Sequence, residues 1–335
     1  MTKDIGVGIV GLGMGRNMLE INSDRQSRMA VRAICDVNEE LLKGVQTQHG
    51  IPFASTDYRE LLKRDDISVV GIYTPDDMHL EHIEAALAAG KHVIYTKPMV
   101  VSLDQAKRTV ELVRKSGLKF LTGQSTRFVP EFMAAKKMYD DGDLGRPLFA
   151  EAHYVHDMRP VLDATPWRYQ RPQDVMYGGS CHPIDLLRSF FGDVEEVFCY
   201  GAKSNIDPRY PWYDNFLINM RFRNGVIARV LAVFGLVEPP LPMLALGIYG
   251  DKGSMTNDTF VLDKIQGKPA MKMSFPREGG HGREVWRYMR HFEECIVEDK
   301  RPLIDEVEGA KVISTCSACW DSIHSGLPAK VFNDF

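Results

Sequence analysis

The chain has 335 residues, 44% of them hydrophobic and 26% charged, with a formal net charge of −4. Domains of ~150 residues would make about two of them, and a chain of this size folds without a disulfide or metal staple. Average composition excludes disordered, collagen-like and coiled-coil classes. The lack of any dense run of like charge argues against a nucleic acid or an anionic membrane surface as partner.

The N-terminal part alternates short apolar runs with helical patterns. Ile5–Val10 reads as a strand that runs into glycines, with a helix opening near Met14. Ala30–Cys35 reads as a second strand, ending at Asp36. Asn38 can cap a helix whose inner face carries Leu41, Leu42 and Val45. Asp57 with Glu60 has the spacing of a helix-opening capping box. Ile67–Tyr73 is a long apolar run, followed by a helix from about Asp77 that stops at Gly90. His92–Tyr95 is another strand. Ser102 with Gln105 opens a helix that ends at Gly117, and Phe120-Leu121 closes the pattern. Strands alternating with helices predict a parallel sheet covered on both faces.

After Gln124 the grammar changes. Pro130 opens a helix that stops at Gly142. Longer strands follow at Leu148–Val155 and Val197–Ala202. Phe216, Ile218, Met220 and Phe222 alternate with Leu217, Asn219, Arg221 and Arg223. Asn224-Gly225 and then Val226–Phe234 complete a hairpin, with a type I′ turn expected. Leu244–Tyr249 is a further strand, and Glu284–Glu298 and Ala310–Ser325 read as helices. The expectation is an α/β chain: a dinucleotide-binding domain over 1–124, and an α+β domain over 125–335 built on a large, mostly antiparallel open sheet.

The first strand ends in Gly11-Leu12-Gly13-Met14-Gly15-Arg16. Glycines at a strand-to-helix turn let the backbone approach a pyrophosphate, which the helix N-terminus then binds. The third glycine comes one position early, at Gly15. Gly6, Gly8 and Gly11 fit the usual spacing better but lie within the strand. Asp36, at the end of the second strand, suits an adenosine ribose, although an acid there can also cap the next helix. No Arg or Lys directly follows Asp36, so NAD is favoured over NADP.

Three further motifs are more specific. They are Thr74-Pro75-Asp76-Asp77-Met78-His79, the run from Ala89 to Lys97-Pro98, and Gly178-Gly179-Ser180-Cys181-His182-Pro183-Ile184-Asp185. With the glycine turn, they resemble the glucose–fructose oxidoreductase and inositol dehydrogenase family, Gfo/Idh/MocA, from Ile5 to about Val331. The resemblance implies a Rossmann domain and an open antiparallel sheet domain. It also implies an NAD(P)-dependent dehydrogenase of a sugar, sugar derivative or cyclitol, forming a dimer or tetramer through the outer faces of the C-terminal sheets. Gly11, Leu12, Gly13, Met14, Gly15, Asp36, Thr74, Pro75, His79, Lys97 and Pro98 would bind the cofactor. Lys97 would touch substrate and nicotinamide, and His182 would be the acid/base. Two positions depart from the family: Thr96 stands where it has Glu, and Gly178 where it has the Asp that supports the catalytic group. Tyr177 and Asp185 are the nearby residues that could substitute, although Asp185 would equally anchor the helix that starts at Pro183.

Trp167 and Arg168, with Tyr169 and Arg171, suit the apolar faces and hydroxyls of a sugar, as do Trp212, Tyr213 and Asn215; packing of loops on the sheet would explain each of them equally. His79 reads as supporting the cofactor site and His82 as a surface residue. Cys316 and Cys319 with His291 and Cys295 could make a zinc set, but both pairs lie in helical patterns with apolar faces, so no metal is expected. Two rival functions keep the cofactor: a lyase or glycosidase that oxidises its sugar transiently, and a non-catalytic nucleotide-binding regulator. An acid and glycines occupy the place of an export signal's apolar core, so the expected setting is cytoplasmic.

Overall fold

β1 (Ile5–Val10) is buried along its whole length. It pairs in parallel on one side with β2 (Met29–Cys35) and on the other with β4 (Val69–Ile72). A strand buried on both faces must be apolar throughout, which is why it reads as a continuous run. The computed structural model describes residues 2–171, 173–275 and 285–335. They fall into two units: 2–125 with 285–310 and Phe335, and 126–275 with 311–334.

The first unit is a Rossmann fold. β3 (Phe53–Ser55), β5 (His92–Tyr95) and β6 (Phe120–Thr122) complete a six-stranded sheet in the order β3-β2-β1-β4-β5-β6, the dinucleotide-binding order. Helices α1 (Glu39–His49), α2 (Tyr58–Leu62), α3 (His79–Ala88) and α4 (Leu103–Ser116) connect it. Asn38 caps α1 by accepting from the Leu41 amide at 3.0 Å. Ser102 accepts from the Gln105 amide at 3.3 Å, and the Gln105 side chain reaches back to the Val101 amide at 3.1 Å. The helix expected near Met14 is instead a 3-10 helix over Gly15–Ser23, with Met18, Leu19 and Ile21 buried.

Residues 285–310, which the sequence division places after 124, belong to this first unit. α10 (Val285–Val297) begins the return; Glu284 of the expected helix lies outside the described residues. The buried Glu293 accepts from the Ser27 hydroxyl, and its ion pair with Arg290 is 3.1 Å long. The Tyr288 hydroxyl meets that of Tyr73. Beyond α10, the Thr122 amide of β6 donates to the Ile304 carbonyl at 2.8 Å.

In the second unit, α5 (Pro130–Asp140) precedes β7 (Pro147–Val155). Three short helices, α6 (Arg159–Ala164), α7 (Trp167–Gln170) and α8 (Val175–Gly178), lead into α9 (Cys181–Phe191). Strands β8 (Val194–Ala202), β9 (Asn215–Phe222), β10 (Ile227–Val233), β11 (Leu244–Gly250), β12 (Gly253–Thr256), β13 (Thr259–Leu262), β14 (Met271–Lys272) and β15 (Ala329–Lys330) follow, with α11 (Glu306–Ser325) before the last. They form one nine-stranded sheet, β14-β13-β12-β11-β7-β10-β9-β8-β15, antiparallel except where β10 runs parallel to β7. Burial alternates along β9, with Phe216, Ile218, Met220 and Phe222 inward. Each such side chain contributes about 1.5–3 kcal/mol by leaving water. α9 packs on β7 and β10.

The β9–β10 hairpin forms as read, but its turn differs. Gly225 has φ +87° while Asn224 takes no positive φ, and the Phe222 amide bonds the Val226 carbonyl at 2.9 Å. Three residues, not two, therefore make the loop, and a type I turn with glycine at its left-handed end replaces type I′. Among the described residues no helix is long and apolar enough to cross a membrane.

Candidate active site

The glycine turn follows β1. Gly11 has φ +92°, and a Cβ there would lie 2.5 Å from the Tyr73 carbonyl oxygen. A Cβ on Gly15 would lie 2.9 Å from Ile9 and 3.1 Å from the Tyr73 ring. Gly13 differs: a Cβ there would meet nothing within 4 Å. The three glycines thus divide the work of a dinucleotide turn: a tight bend, an open face for a pyrophosphate, and close helix–strand packing. Gly15 performs the third task from its early position, so the residues present fit a dinucleotide.

Asp36 follows β2 and is half-buried. Its Oδ2 accepts from the Leu12 amide at 2.7 Å, and its Oδ1 from the Asn38 amide at 2.9 Å. The carboxylate therefore ties the glycine turn to the start of α1 and faces the same edge. Leu12 is buried and Met14 is 52% exposed. Thr74 and Pro75 follow β4; Lys97 follows β5 and is half-buried, joined to Pro98 by a cis peptide bond. Gly11, Asp36, Thr74 and Lys97 all lie just beyond the carboxyl ends of parallel strands, where α/β sheets bind ligands.

His79 and His82 lie one turn apart at the start of α3, and both grip the Thr74 segment. His79 is fully buried, with Nε2 2.7 Å from the Thr74 carbonyl and Nδ1 3.0 Å from the Pro98 carbonyl. Its ring meets Tyr95 edge-on at 4.6 Å. Enclosed in this way, it links the loop after β4 to the loop that carries Lys97. His82 is not on the surface: it is 3% exposed, stacks edge-on with Tyr58 and sits 2.8 Å from the Thr74 hydroxyl. Burial pushes both imidazoles below their ordinary pKa. Only the H-x-x-H spacing hinted at this pair; its helix face is buried because α3 packs on β4 and β5.

In the second unit His182 is 1% exposed at the start of α9. Its amide donates to the Gly179 carbonyl at 3.1 Å, and its ring meets Tyr154 edge-on at 5.4 Å. Tyr154 also stacks on His156 at 5.2 Å and meets Phe234 at 5.3 Å. Arg168 lies over Trp167 at 4.5 Å and donates to the Gln173 side chain at 2.7 Å.

The two residues proposed to substitute for the missing aspartate are engaged elsewhere. Asp185 is fully buried, and its two oxygens accept from Arg127 at 2.6 and 2.9 Å. It anchors α9, the second of the roles read for it. Tyr177 bonds the Ser317 hydroxyl at 3.1 Å, and burial pushes its phenol up. Arg127 was missed by sequence reasoning, since a single arginine carries no local signal.

Several other polar and aromatic candidates have partners within their own unit. The Tyr169 hydroxyl donates to Asp207 at 2.8 Å beneath the Arg209 guanidinium. Arg209 holds the Asp207 carboxyl down to about 2. The Asn215 side chain accepts from the Phe234 and Gly235 amides. His291 accepts from the Leu303 amide at 2.9 Å beside Cys295 in the first unit, whereas the Cys316 thiol donates to the Met176 carbonyl in the second. Among the described residues no group of three or more His, Cys, Asp or Glu could hold a metal ion.

Fold and edge together define an NAD-binding oxidoreductase. Residues 5–124 match the oxidoreductase family with an NAD-binding Rossmann fold, and residues 132–256 match the GFO/IDH/MocA C-terminal domain. The uncharacterised oxidoreductase YrbE of Bacillus subtilis is 30% identical over 77% of this chain and 75% of its own. The myo-inositol 2-dehydrogenase of Thermotoga maritima is 24% identical over 91% of this chain and 89% of its own. In fold, the chain resembles a levoglucosan dehydrogenase solved with NADH and levoglucosan, with a TM-score of 0.88 at 21% identity over 98% of this chain and 99% of that one. The chain belongs to the Gfo/Idh/MocA oxidoreductase family.

Arg127→Ala would strand the Asp185 carboxylate in the core. It should cost about 3–5 kcal/mol in unfolding free energy, read from denaturant midpoints. Adding Asp185→Asn, which removes the stranded charge, should recover part of that loss; a loss under 1 kcal/mol for Arg127→Ala would contradict the burial of the pair.

Proposed function

We propose that the chain is an NAD-dependent dehydrogenase that oxidises a secondary hydroxyl of a sugar, sugar derivative or cyclitol, or reduces the matching ketone. The observation that carries this reading is the carboxyl edge of the parallel sheet. There an open glycine turn, a ribose-type acid and a half-buried lysine follow β1, β2 and β5 of one sheet. The cofactor supplies the hydride acceptor. Residues Gly11 to Gly15 would hold its pyrophosphate and Asp36 its adenosine ribose, with Thr74, Pro75 and Pro98 lining the edge and His79 supporting it from beneath. Lys97 would stabilise the developing alkoxide. His182 would take the hydroxyl proton, and Trp167 and Arg168 would meet the sugar. Tyr177 and Asp185 would hold up the substrate site through their contacts with Ser317 and Arg127.

We also place a second copy of the chain on the outer face of the large sheet. Leu217 pairs with Tyr200 on one side and Leu231 on the other, so three outward side chains form one row across β8, β9 and β10. They are 62%, 39% and 41% exposed in strand order. A dimer or tetramer would cover this row. A cytoplasmic setting suits the six cysteines, all buried as free thiols.

A screen of myo-inositol, levoglucosan and other polyols, followed by NADH absorbance, tests the activity. Net conversion without NADH change would point to transient oxidation, and NAD binding without turnover to a regulator.

With a substrate found, His182→Ala should lower kcat by ~10²–10⁴ with NAD affinity unchanged. A general base acts only unprotonated, so wild-type oxidation should rise with pH and the variant should lose that limb. Lys97→Ala should also depress kcat, with less-than-additive loss in the double variant. Near-wild-type turnover by His182→Ala would move the base elsewhere.

Asp36→Ala should weaken NAD more than NADP, because it removes both a charge-assisted bond of roughly 1.5–3 kcal/mol and the repulsion of a 2′-phosphate. Dissociation constants for both cofactors decide this, and an unchanged ratio refutes the preference. Leu217→Lys should shift the sedimenting species to monomer; an oligomer that persists would place its interface on another face.

A further inference from the structure

Gly178 and Gly179 are squeezed from two sides. A Cβ on Gly178 would lie 2.5 to 2.8 Å from Cδ, Cγ and Nε2 of Gln173. A Cβ on Gly179 would lie 2.3 Å from the Phe234 ring. The space that a side chain at 178 would fill is therefore taken by an amide from the loop before α8.

That amide is fixed in place. Its Oε1 accepts from Arg168 at 2.7 Å. The Gln173 carbonyl accepts from the Tyr210 hydroxyl at 2.6 Å, and the same hydroxyl oxygen accepts from the Val175 amide at 3.2 Å. Asp174, next along, caps α8 through the Met176 amide at 2.8 Å and accepts from the Trp320 indole at 2.8 Å. Gln173 and the two residues that follow it are thus tied down.

The glycine pair in turn sets His182. The Gly179 carbonyl receives the His182 amide at 3.1 Å. Phe234, pressed on Gly179, also meets Tyr154, and Tyr154 meets the imidazole. A shift of the 178–179 backbone would therefore move the imidazole relative to its aromatic wall.

We infer that Gln173 is a positioning residue for His182, supplying from the preceding loop the polar side chain that Gly178 lacks, and that it couples Arg168 to that site. The inference rests on the reading of His182 as the base. An amide in this place brings no charge of its own and does not titrate. It holds the guanidinium of Arg168 with one oxygen while its stem packs on Gly178. Substrate contact at Arg168 and the placing of His182 then share one side chain.

The test is a relocation of the amide. Gln173→Gly vacates the space; Gly178→Asn fills it from the other side and must displace Gln173. Each alone should lower kcat by roughly ten- to a hundredfold, the scale of a small misplacement at a reacting centre. NAD affinity, read by fluorescence titration, should not change. Together they should restore kcat to within a few-fold of wild type, because one amide then occupies one space. KM should rise in Gln173→Gly, where Arg168 loses the Gln173 acceptor. It should stay near wild type in Gln173→Glu, which keeps shape and acceptor and also guards against a variant that fails to fold. A double variant as poor as the product of the singles overturns the inference, and so does wild-type kcat in Gln173→Gly. Should the wild type turn over no polyol, the dehydrogenase reading fails on its own. Thermal midpoints of wild type, Gln173→Gly, Gly178→Asn and the double variant still decide whether the two positions share a space: the double variant must be more stable than the sum of the single losses allows.

Discussion

The carboxyl edge of the parallel sheet depends on how closely Gly11 approaches the Tyr73 carbonyl. The chain leaves β1 and β4 side by side, with the Tyr73 amide donating to the Val10 carbonyl and the Gly11 amide to the Cys35 carbonyl, both at 2.8 Å. Two loops then turn in the same small space. Only a residue without a Cβ, at φ +92°, lets the first loop cross the second. From that crossing follow the burial of Leu12, the bond from its amide to Asp36, and the exposure of Gly13 above open space. The histidine pair of α3 then fixes the other side of the crossing by gripping Thr74 and Pro98. The dinucleotide edge is thus held by backbone proximity and by buried polar groups, with the Asp36 carboxylate among its anchors.

Much of this was legible because short-range chemistry decides it. Continuous apolar runs gave β1, β4 and β5, and Asn38 and Ser102 cap their helices as their side chains dictate. The second half was legible where burial alternates, as on β9. What escaped depends on partners distant in sequence. β3 is three residues long and half-buried, too short for any period to show. α10 has a clear helical pattern, but nothing in it says that Glu293 will meet Ser27 in the first unit. His82 looks like any polar residue on a helix; only the packing of α3 buries it. At the hairpin the sequence named the right residues and the wrong turn, because Asn-Gly suits a two-residue loop and, equally, the end of a three-residue one.

The second unit solves a different problem. Its sheet has one wet face and one covered face, so each strand gives half of its side chains to the core. α9 lies on β7 and β10, at the one place where neighbouring strands run parallel. A helix buried there carries polar groups inward, and each needs a partner. Asp185 finds Arg127 in a two-pronged pair, and Arg188 reaches Asp193 at 3.3 Å. Such pairs add little net stability, since desolvation offsets their attraction, but they fix the rotation of the helix about its own axis. For α9 that rotation decides where His182 points.

The protonatable groups around His182 then sort themselves by environment. Tyr154 and Tyr177 are buried phenols pushed well above their ordinary pKa, so neither can hold a negative charge near neutral pH. Both oxygens of Asp185 accept from Arg127, where they position a helix. Cys181 sits fully buried one residue away. Imidazole differs from all of these in one respect: its neutral form is itself the base. A phenol or thiol must become an anion to accept a proton, and a buried site opposes that. With glycine at position 178, four residues upstream of His182, the ring is held by packing. Here Tyr154, Phe234 and the Gly178–Gly179 backbone do that holding.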